Sequence, residues 1–253
     1  MQLGAQFYTI RDYAKDLEGL AECLKRVADI GYRTVQISGT CAYSPEWLKE
    51  QLDQNGLRCV LTHVPQSRIT DTTDQTAADH KTFGCRCIGL GSGPNGLAGG
   101  EDLQTMIDIA HTAGRRLHEL GCLLMYHNHH MELNHGADGR TRLQALADAT
   151  AADELGFTLD TYWLQYGGGD PADWADRLRG RIPCAHFKDM TVVGSESRMA
   201  AVGAGNLNFD RILSACERGG TEYILIEQDN CYGEDPFDCL KQSYEYLKAM
   251  GLE

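Results

Sequence analysis

The chain has 253 residues, a formal net charge of −13 at pH 7 and a hydrophobic content of 42%. This length is typical of a single (β/α)8 barrel and is sufficient for a large core. The negative charge argues against nucleic acid or an anionic membrane surface as the main partner. It leaves a small anionic substrate open, because a bound cation can reverse the local field inside a cleft.

The ten cysteines are scattered along the chain and form no CxxC pair. We therefore expect mostly buried free thiols and a reducing, cytoplasmic location. The first residues, MQLGAQFYTIRDY, contain no basic segment followed by an apolar core, so no signal peptide is expected. No apolar stretch approaches the roughly 20 residues that are needed to span a bilayer.

Short apolar runs alternate with helix-compatible segments along the whole chain. We predict eight strands, at residues 3–7, 34–37, 58–62, 85–90, 122–126, 157–159, 183–186 and 223–226. A glycine-rich stretch at residues 91–100 is predicted to be a flexible loop.

This alternation fits either a closed parallel barrel or an open doubly wound sheet. The open sheet usually has a glycine-rich turn after its first strand, where this chain has QFYTIRD. We therefore predict an α/β protein with one (β/α)8 TIM-barrel domain over residues 1–253.

Potential metal ligands follow several of the predicted strands. Asp160 ends FTLD, His186 ends PCAH, and Glu227 directly follows YILI. Taken singly, they could be a helix cap, a structural histidine and a salt-bridged rim residue. Their common position at the ends of successive strands, where TIM-barrel active sites lie, predicts a divalent-cation site.

The segment YHNHHMEL, at the end of the fifth strand, offers His127, His129, His130 and Glu132. If the run stays extended, His127 and His129 lie on one face, and a loop could turn Glu132 toward the barrel centre. The spacing is not that of a zinc-binding HExxH helix. A carboxylate-rich set with one histidine suits Mn²⁺ or Mg²⁺, and Co²⁺ or catalytic Zn²⁺ remains possible.

The chain resembles the xylose-isomerase-like barrels called sugar phosphate isomerases/epimerases, which include inosose dehydratases, ketose 3-epimerases and type IV apurinic endonucleases. The segments that carry the resemblance span the chain: AQFYTIRD, GYRTVQISG, YHNHHMEL, LDTYWLQYGG, HFKDM, VGAGNLNFDRIL and LIEQD. Such proteins typically bind a divalent metal through Glu, Asp, His and Glu.

The resemblance assigns the last three ligand positions to Asp160, His186 and Glu227, with Mn²⁺ as the expected metal. Ketose epimerases take their first ligand from a glutamate at the end of strand five, where this chain has Tyr126 or His127. Glu132 is predicted to supply the missing carboxylate. The alternative is that His127 or His129 is the ligand.

Several other side chains are predicted to bind a carbohydrate substrate. His63, at the end of the third strand, could contact its hydroxyl groups, and Tyr8 could line the rim of the pocket. Trp163 could form an apolar wall against a sugar face, although a buried core position is an alternative. His127 is a further candidate.

The expected chemistry is proton abstraction next to a carbonyl, with a divalent cation stabilising the enediolate. Glu227, His129 and Glu132 are the candidate bases. Lys188 could hold an oxyanion or phosphate, or it could pair with Asp189. We therefore predict a metal-dependent isomerase or epimerase that acts on a sugar or keto-sugar.

Three alternatives remain at this point. The first is a lyase or dehydratase acting on a keto-inositol or a 3-keto-glycoside. An imidazole at strand five would suit its β-elimination, which needs a base and a general acid. A type IV endonuclease is disfavoured by the net charge of −13. A non-catalytic barrel acting as a partner subunit is the third, and the chain could also form a homo-oligomer.

Overall fold

The computed structural model describes residues 1–252, in which eight parallel strands close into a barrel, so the predicted TIM-barrel fold is confirmed. The barrel strands are β1 Gln2–Gln6, β2 Thr34–Ile37, β3 Arg58–His63, β4 Cys87–Leu90, β5 Leu123–His127, β6 Gly156–Asp160, β7 Cys184–Phe187 and β10 Tyr223–Ile226. Strands β1 to β7 are neighbours in chain order, and β10 closes the barrel between β7 and β1. Each predicted strand overlaps an observed one.

Helices surround the barrel and connect its strands. They are α1 Leu17–Ile30, α2 Pro45–Gln54, α3 Gln66–Thr70, α4 Thr73–Thr82, α5 Gly100–Ile109, α6 Arg115–Glu119, α7 Arg142–Ala149, α8 Thr161–Tyr166, α9 Pro171–Arg177, α10 Phe209–Gly219 and α11 Pro236–Ala249. Helix α1 shows the local logic: Asp16 accepts a hydrogen bond from the Gly19 N–H at its start, and Gly31 ends it with φ +127°. No helix among the described residues is long and apolar enough to cross a membrane.

The strands are almost wholly buried, as expected for parallel strands covered on both faces. A small apolar cluster, separate from the main core, contains residues from β3, β4, β5, β7 and β10: Val60, Leu61, Cys87, Met125, Cys184 and Leu225. The main core packs the barrel against the helices.

Two regions differ from the predicted pattern. A hairpin of β8 Asp189–Val193 and β9 Glu196–Ala200 follows β7 and lies outside the barrel sheet. The stretch predicted as a flexible loop contains a 3-10 turn, Pro94–Leu97, whose Leu97 side chain is buried. The buried Leu97 side chain anchors this turn. The glycine-rich composition of the segment does not indicate such an anchor.

Candidate metal and substrate site

Polar side chains form a layer at the carboxyl ends of the barrel strands. His127, His186 and Glu227 each lie two positions after a residue of the small apolar cluster. Strand alternation therefore places each of them on the same face as that apolar residue. The layer consists of Gln6, Gln36, His63, His127, Asp160, His186 and Glu227.

Four members of this layer form a compact group. His127, Asp160, His186 and Glu227 are all buried, and each offers one potential ligand atom within 4.8 Å of the others. His127 Nε2 lies 3.2 Å from Asp160 Oδ2, and His186 Nδ1 lies 2.8 Å from Glu227 Oε2. The structure therefore brings together the three predicted ligands Asp160, His186 and Glu227, with His127 as the fourth member.

The donor set fits a divalent cation. The buried atoms His186 Nδ1 and Glu227 Oε2 face each other at 2.8 Å, and Lys188 Nζ lies 2.9 Å from the same carboxylate oxygen. Among the described residues, His186 Nδ1 makes no hydrogen bond of good geometry, and a cation between the imidazole and the carboxylates would give this nitrogen a partner. Two imidazoles and two carboxylates are suitable donors for Mn²⁺, Co²⁺ or Zn²⁺.

Neighbouring groups orient the two imidazoles. His186 Nε2 lies 2.5 Å from Gln36 Oε1, and His127 Nδ1 lies 3.1 Å from the Gly91 carbonyl oxygen. Because both oxygens are acceptors, these nitrogens carry the protons. The other ring nitrogen of each histidine, the one facing the cluster, is therefore the one that could offer its lone pair to a cation.

Lys188 is buried beside the cluster. Its Nζ lies 3.1 Å from Asp160 Oδ2, 2.9 Å from Glu227 Oε2 and 2.9 Å from Asp229 Oδ1. Burial alone would lower the Lys188 pKa, but these three carboxylates outweigh it and raise the pKa above its ordinary value. Lys188 therefore remains an ammonium group. Glu227 is further fixed by Gln6, whose Nε2 donates to Glu227 Oε1 at 2.8 Å.

Charges in the cluster also shift the carboxylates and His186. Burial raises the pKa of Asp160 and of Glu227, but the Lys188 charge and the contacts with His127 and His186 together outweigh it and hold both pKa values below their ordinary range. For His186, burial lowers the pKa, and the carboxylates of Glu227 and Asp160 together more than offset it, so the pKa is raised. Burial and the Glu227 charge raise the pKa of Asp229 to about 7.

Asp189 does not pair with Lys188. One of its carboxylate oxygens accepts the backbone N–H groups of Gly203 and Gly205 at 3.0 and 2.9 Å, and the other accepts that of Leu207 at 3.1 Å. The side chain thus anchors the AVGAGNL loop, which lies beside the hairpin.

A cavity of about 530 Å³ opens next to the cluster. Its lining includes all four predicted substrate-binding residues and three of the predicted catalytic ones: Tyr8, His63, Trp163, His127, His129, Lys188 and Glu227. Burial, with the positive fields of neighbouring histidines, keeps the His63 pKa well below its ordinary value. Burial likewise lowers the pKa of His129 to about 3.

Glu132 lies apart from this cluster and does not line the cavity. Its carboxylate accepts the Tyr126 hydroxyl at 2.7 Å and the His129 backbone N–H at 2.9 Å, and it is fully buried. Tyr126 alternates with His127 along β5, so it lies on the opposite face of the strand. The turn Met131–Leu133 therefore carries Glu132 to the outer side of β5, and His127 is the residue of this segment that is grouped with Asp160, His186 and Glu227.

Gln6, Gln36 and Asp229 were not among the predicted site residues. Gln6 and Gln36 are paired residues of β1 and β2, and their side-chain amides contact Glu227 and His186. The sequence offered one signal for Gln6: it lies two positions after Gly4 and so on the same face of the strand, and a polar residue inside a barrel is unusual without a partner.

Comparisons with known proteins agree with this fold. A family model described as xylose isomerase-like TIM barrel matches residues 24–250. Inosose dehydratase from Geobacillus kaustophilus (strain HTA426) is 26% identical over 204 residues, covering 69% of this chain and 65% of that protein. The chain thus aligns with slightly less than two thirds of that relative.

Two solved structures are similar over nearly the whole chain. A sugar phosphate isomerase/epimerase from Parabacteroides distasonis ATCC 8503 has a TM-score of 0.82 and 22% identity, covering 98% of this chain and 94% of its own. The IolI protein with a bound zinc atom has a TM-score of 0.74 and 14% identity, covering 98% and 97%. At these identities the similarity establishes the fold.

Proposed function

Because this chain belongs to the xylose isomerase-like TIM-barrel family, we propose that it is a divalent-metal-dependent isomerase or epimerase acting on a sugar or keto-sugar. The observation that carries the proposal is the buried group of His127, Asp160, His186 and Glu227, beside a cavity of about 530 Å³. In this fold, active sites lie at the carboxyl ends of the strands, where this group is found.

The proposed cofactor is Mn²⁺, held by His127, Asp160, His186 and Glu227. The same donors would accept Co²⁺ or Zn²⁺, and Mg²⁺ less readily because two are imidazoles. Once bound, such a cation supplies Lewis-acid polarisation of a substrate carbonyl.

Glu227 is the proposed base that removes the proton next to the carbonyl. It lines the cavity, and the Gln6 amide fixes one of its oxygens. The Lys188 charge and the contact with His186 together keep Glu227 ionised despite its burial. The Lys188 ammonium, which also lines the cavity, is placed to stabilise negative charge that develops on a substrate oxygen.

His129 is the proposed second proton-transfer group. Its ring lines the cavity next to Trp163, at 5.5 Å between ring centroids, and its Nδ1 has no hydrogen-bond partner among the described residues. An epimerase needs a second group that returns the proton to the opposite face of the carbon. His129 suits this role better than Glu132, whose carboxylate oxygens accept hydrogen bonds from the Tyr126 hydroxyl and the His129 backbone N–H.

A lyase or dehydratase is the second candidate, and the position of Glu132 favours it. With Glu132 outside the cavity, Glu227 is paired with imidazoles rather than with an opposing glutamate. A carboxylate base beside an imidazole is suited to elimination: Glu227 takes the α-proton, and this proton can pass through the neutral His129 ring to the leaving group. The similarity to an inosose dehydratase points in the same direction.

Hydrogen exchange in D2O distinguishes the two reactions. Mn²⁺-loaded protein is incubated with a panel of ketoses, inososes and 3-keto-glycosides, and the products are analysed by NMR and mass spectrometry. Deuterium next to the carbonyl together with an epimer or isomer supports the first candidate. Release of water or an aglycone without an epimer supports the second. Exchange that is equal in wild type and Glu227→Gln would contradict both.

A further inference from the structure

The Lys188 ammonium contacts the same carboxylate oxygens that face the two imidazoles. Asp160 Oδ2 lies 3.1 Å from Lys188 Nζ and 3.2 Å from His127 Nε2. Glu227 Oε2 lies 2.9 Å from Lys188 Nζ and 2.8 Å from His186 Nδ1. A divalent cation held by these four side chains would therefore share both oxygens with the ammonium of Lys188.

This sharing has an electrostatic cost. Lys188 is only 1% exposed, so water screens its charge poorly, and two cations a few ångströms apart repel strongly in such surroundings. Tight binding of a divalent cation at the four side chains requires the ammonium to give up Asp160 and Glu227. A third carboxylate is needed to receive it, because a buried unpaired ammonium is unfavourable.

Asp229 is a third carboxylate that already contacts the Lys188 ammonium. Its two carboxylate oxygens lie 2.9 and 3.0 Å from Lys188 Nζ. Its side chain is 21% exposed, on the loop after β10, whereas those of Asp160 and Glu227 are almost completely buried. Asp229 is not a member of the four-residue ligand group. It therefore contacts the competing ammonium without being one of the grouped ligands.

We propose that Asp229 is a positioning residue that receives the Lys188 ammonium when a divalent cation binds, and that the Lys188–Asp229 pair sets the cation affinity of the site. The inference rests on the proposed metal site. It goes beyond it by assigning the control of affinity to two side chains outside the ligand set. Lys188 weakens cation binding, and Asp229 relieves that effect.

A double-mutant cycle on the Mn²⁺ dissociation constant tests this inference. Metal-stripped wild type, Asp229→Asn, Lys188→Met and the double variant are titrated with MnCl₂ by calorimetry. We expect Asp229→Asn to weaken binding by about 10-fold or more and Lys188→Met to strengthen it. In the Lys188→Met background, Asp229→Asn should have only a small effect. Asp229→Glu, which keeps the charge, should bind more tightly than Asp229→Asn.

Glu234→Gln is the matched control, because it removes one negative charge from an exposed residue of the same loop. It should leave the dissociation constant unchanged. An equal effect of Asp229→Asn with and without Lys188, or no effect in either background, would overturn the inference. Failure of both wild type and Lys188→Met to bind Mn²⁺ would instead refute the proposed metal site. Circular dichroism of each variant verifies that it is folded.

Discussion

The Tyr126 hydroxyl donates a 2.7 Å hydrogen bond to Glu132 Oε1, and this contact holds the carboxylate on the outer side of β5. The second oxygen of Glu132 accepts the His129 backbone N–H at 2.9 Å. Glu132 thereby fixes the segment that carries His129 into the cavity. In this arrangement Glu132 contacts the chain, while His127 is one of the four side chains that could hold a metal ion.

Glu132→Gln is expected to destabilise the protein while leaving Mn²⁺ affinity nearly unchanged. A glutamine presents an NH2 group to one of two buried donors, so the free energy of unfolding should fall by about 1–3 kcal/mol. Denaturant unfolding and calorimetric titration measure the two effects. Tyr126→Phe is the control, since it removes one of the same hydrogen bonds and leaves the carboxylate. A large loss of affinity with unchanged stability would identify Glu132 as a ligand.

His129→Asn should reduce turnover more than it reduces metal affinity. The His129 ring lines the cavity and lies outside the ligand group, so its loss removes a proton-transfer group but no metal donor. A loss of about 10²–10⁴-fold in kcat is expected for such a group. The comparison requires kcat and the Mn²⁺ dissociation constant for the same preparation. Equal losses in both would identify His129 as a ligand.

His80 should make the protein less stable in mild acid. Burial lowers its pKa from 6.5 to about 4, although Thr76 O lies 2.7 Å from its Nδ1. Above pH 6.5 the ring is neutral in both the folded and the unfolded chain. Between pH 6.5 and 4 the unfolded chain binds a proton that the folded chain excludes, which costs up to about 3 kcal/mol of stability.

His80→Gln should therefore show a shallower loss of stability between pH 7 and about 4. The amide oxygen can replace His80 Nε2, which lies 2.7 Å from Thr62 Oγ1, so the variant is expected to fold. The measurement is the free energy of unfolding in denaturant at a series of pH values. Parallel curves for wild type and variant would show that His80 does not cause the acid sensitivity. The difference between the curves isolates this residue from His63 and His129.

The barrel and the common position of three of the four clustered side chains could be predicted because they depend on local pattern. Strand length, alternation with helices and position at a strand end place Asp160, His186 and Glu227 at one end of the barrel. His127 was considered as an alternative ligand because strand alternation already placed it on one face with His129. The direction of the Glu132 side chain could not be predicted, because it depends on the turn Met131–Leu133 and on the hydrogen bond with Tyr126.

The contacts of Lys188 could not be predicted from sequence. Asp189 is its neighbour in the chain, yet it accepts backbone N–H groups of the AVGAGNL loop. Of its actual partners, Asp160 ends β6 and Glu227 and Asp229 follow β10, so they meet Lys188 only when the barrel closes. Contacts between residues so far apart in the chain depend on the order in which the strands pair, and the spacing of residues in the sequence does not show that order.

Mn²⁺ binding by wild type and Glu227→Gln tests the central claim most directly. Wild-type protein, stripped and reloaded, should bind about one Mn²⁺ per chain, as expected for a single four-ligand site. Glu227→Gln should fold, lose activity and bind Mn²⁺ much more weakly, because it replaces a charged ligand that contacts His186. Metal content is measured by atomic emission and folding by circular dichroism. Wild-type metal content and turnover in Glu227→Gln would contradict the account.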